Sequence, residues 1–261
     1  MIRVMGWQSA VMLGLLLVVS AQAQGALSLA GTRLIFDGQY REASLEVRNR
    51  GGSDVLVQAW LSDPGDDDAT PLPQRRPVAF VVTPPLSRLT GGARQIIRVL
   101  YQGAGMASDR ESLLHLYVLE VPQRRTGVRQ VNIALRRRIN LFYRPVGLAG
   151  DPADTAGQLV WSIAADVRGN MMLHVSNPTV YHAALETLVL DGEPISDDAL
   201  LPPGGQLDFR LPASKRLLTE QRLKFRALTD YGGQRSFCTR LNGQASSSAD
   251  LLDNTSPQDE C

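Results

Sequence analysis

Between Leu27 and Tyr143, apolar and polar residues alternate in short runs, the period of two that sends successive side chains to opposite faces of a strand. The runs are Leu27–Phe36, Glu42–Arg48, Val55–Ser62, Val78–Thr83, Gln95–Tyr101, Leu113–Val121 and Val131–Tyr143. Turn-forming residues separate them: Asp37-Gly38, Asn49 to Asp54, Asp63 to Pro73, and Gly91-Gly92. About seven strands at this spacing predict an immunoglobulin-like sandwich. Trp60 lies on the third of them, where such sandwiches bury a tryptophan. Thr83-Pro84-Pro85 removes ladder donors and forces an extended path. It reads as a bend or sheet edge with a cis bond, or as a plain turn. The acidic segment Asp63 to Asp68 lacks the ligand spacing and glycine of an EF-hand loop, so it reads as a solvated loop.

Leu148 to Gly157, rich in Gly, Ala, Pro and Asp, reads as a linker. Beyond it come Leu159–Ser162, Met171–Ser176, Ala184–Leu190, Gln206–Arg210, Leu223–Leu228 and Arg235–Arg240, a second β domain. From Ala245 the chain turns polar and Ser/Asp-rich, a composition predicting a loose tail. No helical period of useful length occurs. The predicted architecture is all-β, with an N-terminal domain over 24–146, a C-terminal domain over 150–244 and a flexible tail over 245–261.

One stretch changes character midway: Val131 to Pro145, VNIALRRRINLFYRP. Val131, Ile133 and Leu135 form one apolar face. The pattern alone allows that face to pack on its own core or to be offered to another protein. Arg136, Arg137 and Arg138 follow, reading as a solvated basic edge or as an anion-holding group. The strand ends in Arg144-Pro145, as a strand does on leaving its domain.

A chain of 261 residues with net charge +1 suits two domains or one large one and carries no nucleic-acid signal. Residues 1–23 read as a secretory signal peptide: Arg3, the apolar run Val11 to Val19, and Ala21-Gln22-Ala23 for cleavage. The run is too short to span a bilayer. The expected mature protein is therefore exported, periplasmic and not inserted in a membrane. Cys238 and Cys261 are either joined in a disulfide tying the tail to the last strand, or two unpaired thiols. No nucleophile elbow, zinc motif or phosphate-binding loop is present, and His115, His174 and His182 are scattered. No catalysis, metal or cofactor is expected, and the reading turns to binding.

Four motifs carry a resemblance: GTRLIFDG near the start, DRESLLHLYVLEVP, IALRRRINLFYRP, and TDYGG late in domain two. Together, in this order, they resemble the periplasmic chaperones of the chaperone–usher pilus pathway, the PapD-like family. The resemblance implies two immunoglobulin-like sandwiches in a boomerang arrangement with a cleft between them. It also implies a client, a pilus or fimbrial subunit lacking its last strand. The chaperone lends it a strand (donor-strand complementation), caps its core and delivers it to an outer-membrane usher. On that basis Val131, Ile133 and Leu135 form the subunit-capping strand. Arg33 and a lysine just before Leu-Phe-Tyr-Arg-Pro hold the subunit's carboxylate. Here that second position is Asn140, which is uncharged; Arg138, two residues earlier on the same face, is the expected replacement cation. Glu111, Arg144 and Asp230 match a buried charge cluster that sets the interdomain angle. His115 and Tyr117 depart from the family's usual aromatic or threonine and asparagine. The short loop Gln123 to Arg129 resembles the branch serving rod-like, adhesin-tipped pili. Two other classes compete. A structural pilin or adhesin should carry a free N-terminal donor extension, yet Leu27 begins a strand almost at once. An enzyme or carbohydrate-binding module needs converging carboxylates or grooved aromatics, and only 6% of residues are aromatic.

Overall fold

The computed structural model describes residues 26–66, 69–123, 132–212, 220–243 and 245–252. In domain one the strands are β1 (Leu27–Leu29), β2 (Arg33–Asp37), β3 (Glu42–Asn49), β4 (Val55–Ser62), β5 (Phe80–Thr83), β6 (Leu86–Leu89), β7 (Arg94–Tyr101), β8 (Ser112–Pro122) and β9 (Leu135–Arg144). They form two facing sheets, β1-β3-β7-β5 and β2-β9-β8-β4-β6. The first predicted strand is thus two. β1 pairs antiparallel with β3, while β2 pairs parallel with β9 in the opposite sheet. The chain changes sheets again at the prolines, where a cis Thr83–Pro84 bond separates β5 from the unpredicted β6.

The inward positions follow the period of two. Val55, Val57 and Ala59 of β4 face the core, with Leu116, Leu141, Phe36 and Val99 buried against them. That parity puts Trp60 on the other face of β4, half-buried and stacked on Tyr117 at 5.2 Å, so the expectation of a core tryptophan there fails. The Arg75 and Arg136 guanidinium groups lie over the same Tyr117 ring, at 5.4 and 5.3 Å.

Glu120, buried in β8, clamps the start of the described chain. Its two carboxylate oxygens accept from the amides of Ala26 (2.8 Å) and Leu27 (3.1 Å), and Arg137 donates to the Leu27 carbonyl. Replacing Glu120 with Gln turns one acceptor into a donor facing a donor. A buried group left unsatisfied costs about 1–3 kcal/mol. The expected result is faster amide hydrogen exchange at Ala26 and Leu27 with little change elsewhere; uniform exchange across the domain would contradict a local clamp.

Domain two contains β10 (Val160–Ala165), β11 (Met171–Ser176), β12 (Ala183–Leu190), β13 (Glu193–Leu201), β14 (Gln206–Arg210), β15 (Gln221–Leu228), β16 (Gln234–Leu241) and β17 (Asp250–Leu251). Its sheets are β10-β11-β14 and β13-β12-β15-β16-β17. Here a tryptophan does enter the core: Trp161 is fully buried, 5.1 Å from the Phe225 ring. β13 escaped the sequence reading because it carries Pro194, Asp197 and Asp198; as an edge strand it tolerates all three. The predicted loose tail is corrected over its first part. Ser247 exchanges two backbone hydrogen bonds with Trp161 (2.8 and 2.9 Å), Ala249 is buried in the core, and β17 pairs with β16. Residues 253–261 lie outside the described residues. The predicted linker is also partly built in. Asp151 caps a 3₁₀ turn over Pro152–Gln158 by accepting from the Ala153 amide at 2.8 Å, and that turn buries Thr155 and Ala156.

Candidate functional site

β9 pairs with β8 from Leu135 opposite Glu120 to Tyr143 opposite Ser112. On its other side β2 covers only Asn140 to Arg144. Among the described residues no strand covers the second edge of Leu135 to Ile139. An uncovered edge presents unpaired backbone donors and acceptors, a template for another strand.

The predicted strand begins later than its pattern suggested. Residues 132–134 leave the sheet, and Val131 lies outside the described residues. Continuing the β8–β9 register would place Ile133 opposite Pro122, which has no N–H to donate. Ile133 is left 57% exposed and Leu135 half-buried. Both fall on the parity of Ile139, Leu141 and Tyr143, which fill the core. The apolar face of β9 thus runs on past the point where its own sandwich closes.

Strand parity also splits the three arginines. Arg137 points inward to the Leu27 carbonyl, while Arg136 and Arg138 are exposed on the outer face. Arg138 stands opposite Tyr117, and Asn140 stands between Arg33 and His115. Of the three residues expected to form the anchor, Arg33 and Asn140 are neighbours in the ladder, whereas Arg138 lies one pleat away.

At the Arg144 end, β9 meets domain two. Arg144 donates from Nε to Glu111 (2.6 Å) and from Nη1 and Nη2 to the two oxygens of Asp230 (2.6 and 2.9 Å). The expected charge cluster thus forms, and it bridges the domains. Burial alone would lower the Arg144 pKa, but the hydrogen bonds to Asp230 and Glu111 and their charges outweigh it and raise it. Glu111 is 1% exposed through its side chain. His182, which sequence reasoning treated as scattered, joins the cluster. Its backbone N–H and its Nδ1 both reach one Glu111 oxygen, at 2.8 and 2.7 Å. No local signal could have found it, since the partners lie 71 residues apart.

Between the domains lies a cavity of about 560 Å³, walled by Arg33, Phe142 and Arg144 from one side and by Leu228, Asp230 and Arg235 from the other. Arg33 reaches the Leu228 carbonyl at 3.5 Å and lies over the Phe142 ring at 5.7 Å. Burial pushes its pKa below the ordinary arginine value, while Asp230 and Glu111 pull the other way. Neither Asn140 nor Arg138 lines the cavity.

Residues 26–149 match the family model described as pili and flagellar-assembly chaperone, PapD N-terminal domain, and residues 154–239 match that of pili assembly chaperone PapD, C-terminal domain. The chain belongs to the PapD-like family of pilus-assembly chaperones. This chaperone is 30% identical to the chaperone protein LpfB of Salmonella typhimurium over 222 residues, covering 84% of its own chain and 90% of that relative. It is also similar to the crystal structure of the Pseudomonas aeruginosa CupB2 chaperone, at 29% identity and a TM-score of 0.68 over 82% of this chain and 100% of that one. A structure of the Salmonella enterica SafA pilin in complex with the SafB chaperone matches at 27% identity and a TM-score of 0.70, over 84% of this chain and 98% of that one. The family is non-enzymatic, and this chaperone is not an enzyme. Among the described residues, no helix is long and apolar enough to cross a membrane.

Proposed function

We propose that this chaperone caps pilus subunits in the periplasm with the open edge of β9, and hands them to an outer-membrane usher. The observation that carries the reading is the uncovered edge at Leu135 to Ile139, next to a cleft containing Arg33. A subunit lacking a strand exposes apolar core and unpaired backbone groups, both aggregation hazards. β9 supplies the missing ladder, and Val131, Ile133 and Leu135 fill alternate pockets, each worth about 1.5–3 kcal/mol. Pairing with the subunit gives residues 132–134 the strand partner that Pro122 cannot. Arg33 holds the subunit's terminal carboxylate, and Asn140 beside it adds a neutral amide donor.

A second surface supports the hand-over. Leu56 and Val121 stand opposite each other on β4 and β8, with Leu86 on β6 diagonal to Leu56, and all three are exposed on the outer face. An usher can dock on that apolar patch while the β9 edge stays occupied. Two further readings stay proposals. Cys238 is disulfide-bonded, but Cys261 lies outside the described residues. The short-loop likeness to rod-type systems concerns residues 123–129, of which 124–129 also lie outside them.

The test is recovery of the tagged chain from the periplasm of cells that encode it. A pilus subunit should elute with it one-to-one, and should vanish from the periplasm when the chaperone is deleted. Recovery of the chain without a subunit, or in surface fibres, would overturn the reading.

A further inference from the structure

The cleft holds one arginine whose charge is unused. The cavity wall carries Arg33, Arg144 and Arg235 against Glu111, Asp230 and, at the rim, Asp151. Arg144 is committed to both Glu111 and Asp230. Those two carboxylates outnumber it by one, and Arg33 supplies the balancing charge. Asp151 is exposed and occupied in capping its own turn. An incoming carboxylate therefore meets an almost neutral wall unless another cation faces it. In the family resemblance, that cation is the lysine whose place Asn140 takes.

We infer that Arg235 is that cation: with Arg33 it holds the subunit's terminal carboxylate, from the domain-two side of the cleft. This rests on the carboxylate-anchoring part of the proposed function. Arg235 is exposed and, among the described residues, its side chain makes no hydrogen bond or ion pair, yet it lines the cavity that Arg33 lines. Its position in the ladder brings the two together. Arg235 pairs opposite Ala227 on β15, with roughly 5 Å between Cβ atoms in such a pair. Arg33 touches the carbonyl of the next residue, Leu228. Gln234, one residue earlier, points to the other face and donates to Glu186 at 2.6 Å. Two guanidinium groups, each able to fork onto an oxygen pair, can divide a carboxylate between them. Arg138, exposed on the outer face of β9 away from the cavity wall, faces the part of the subunit strand that precedes its end.

The probe is a labelled peptide of alternating valine and threonine with a free C-terminal carboxylate, compared with the same peptide amidated. The purified chaperone should bind the acid about tenfold tighter, the size of one charge-assisted hydrogen bond. Arg235→Ala and Arg235→Gln should lose most of that preference, as Arg33→Ala should, while Arg235→Lys keeps part of it. Thermal midpoints should stay at the parent value, since Arg235 has no partner to lose. Asn140→Lys placed in the Arg235→Ala chain should restore the preference. An undiminished acid preference in Arg235→Ala, or its loss in Arg138→Ala instead, overturns the assignment while leaving the capping reading intact. Equal binding of acid and amide by the parent protein overturns the carboxylate anchor itself. Binding of neither peptide overturns the capping reading along with it.

Discussion

Asparagine at both Ile133 and Leu135 should abolish subunit capture while leaving the free chaperone folded. The two side chains together contribute about 3–6 kcal/mol when buried in a subunit, which corresponds to about two to four orders of magnitude in affinity. In the free protein they contribute far less. Ile133 is 57% exposed and lies outside any strand, and Leu135 is half-buried at the end of its ladder. A loss of up to about 1 kcal/mol would lower the thermal midpoint by about 2–4 °C for a chain of this size. The measurement is subunit abundance in the periplasm beside the midpoint of the purified variant. Unchanged abundance would remove the β9 edge from client binding. A collapse of the midpoint would instead mean that these side chains belong to the chaperone's own core.

Removal of Arg144 should be the most destabilising change at the domain junction. Arg144→Ala strands Asp230 without either of its arginine contacts, and leaves Glu111 buried with only its His182 contacts. Breaking a buried cluster in this way typically costs about 3–5 kcal/mol. Calorimetry should show a midpoint lowered by roughly 6–20 °C, with the two domains melting separately. Arg144→Lys should recover only part of this, because a single ammonium cannot fork onto Asp230 while also reaching Glu111. The deciding control is the triple variant Glu111→Gln, Arg144→Met, Asp230→Asn. With no charge stranded it should melt well above Arg144→Ala. Equal loss in both would mean that packing, not the uncompensated charge, dominates the junction.

Much of this was legible beforehand. The period of two marked most strands to within a few residues, because alternation is a local property that each strand carries in full. Cluster residues Glu111, Arg144 and Asp230 were named from motifs and do meet. The departures have two reasons, the parity of a side chain on its strand and the lack of any period in a very short strand. Trp60 was placed inward, although its parity on β4 points it outward. The arginine run reads as a basic edge or an anion-holding group, yet alternation sends Arg137 in and Arg138 out. Asp250-Leu251 looked like tail, because two residues that pair onto β16 carry no period of their own.

The amino-acid sequence alone determined where strands form, how the chain divides into two domains, and which side chains share a strand face. Tertiary structure alone decided which edges find a partner: β2 begins opposite Asn140, so among the described residues no strand covers the second edge of β9 from Leu135 to Ile139. It alone brought His182 to Glu111 and Arg235 to the cavity of Arg33. The reason is physical: alternation specifies faces through bonds between near neighbours, whereas coverage and charge pairing depend on residues distant in the chain that meet only when the sandwiches close.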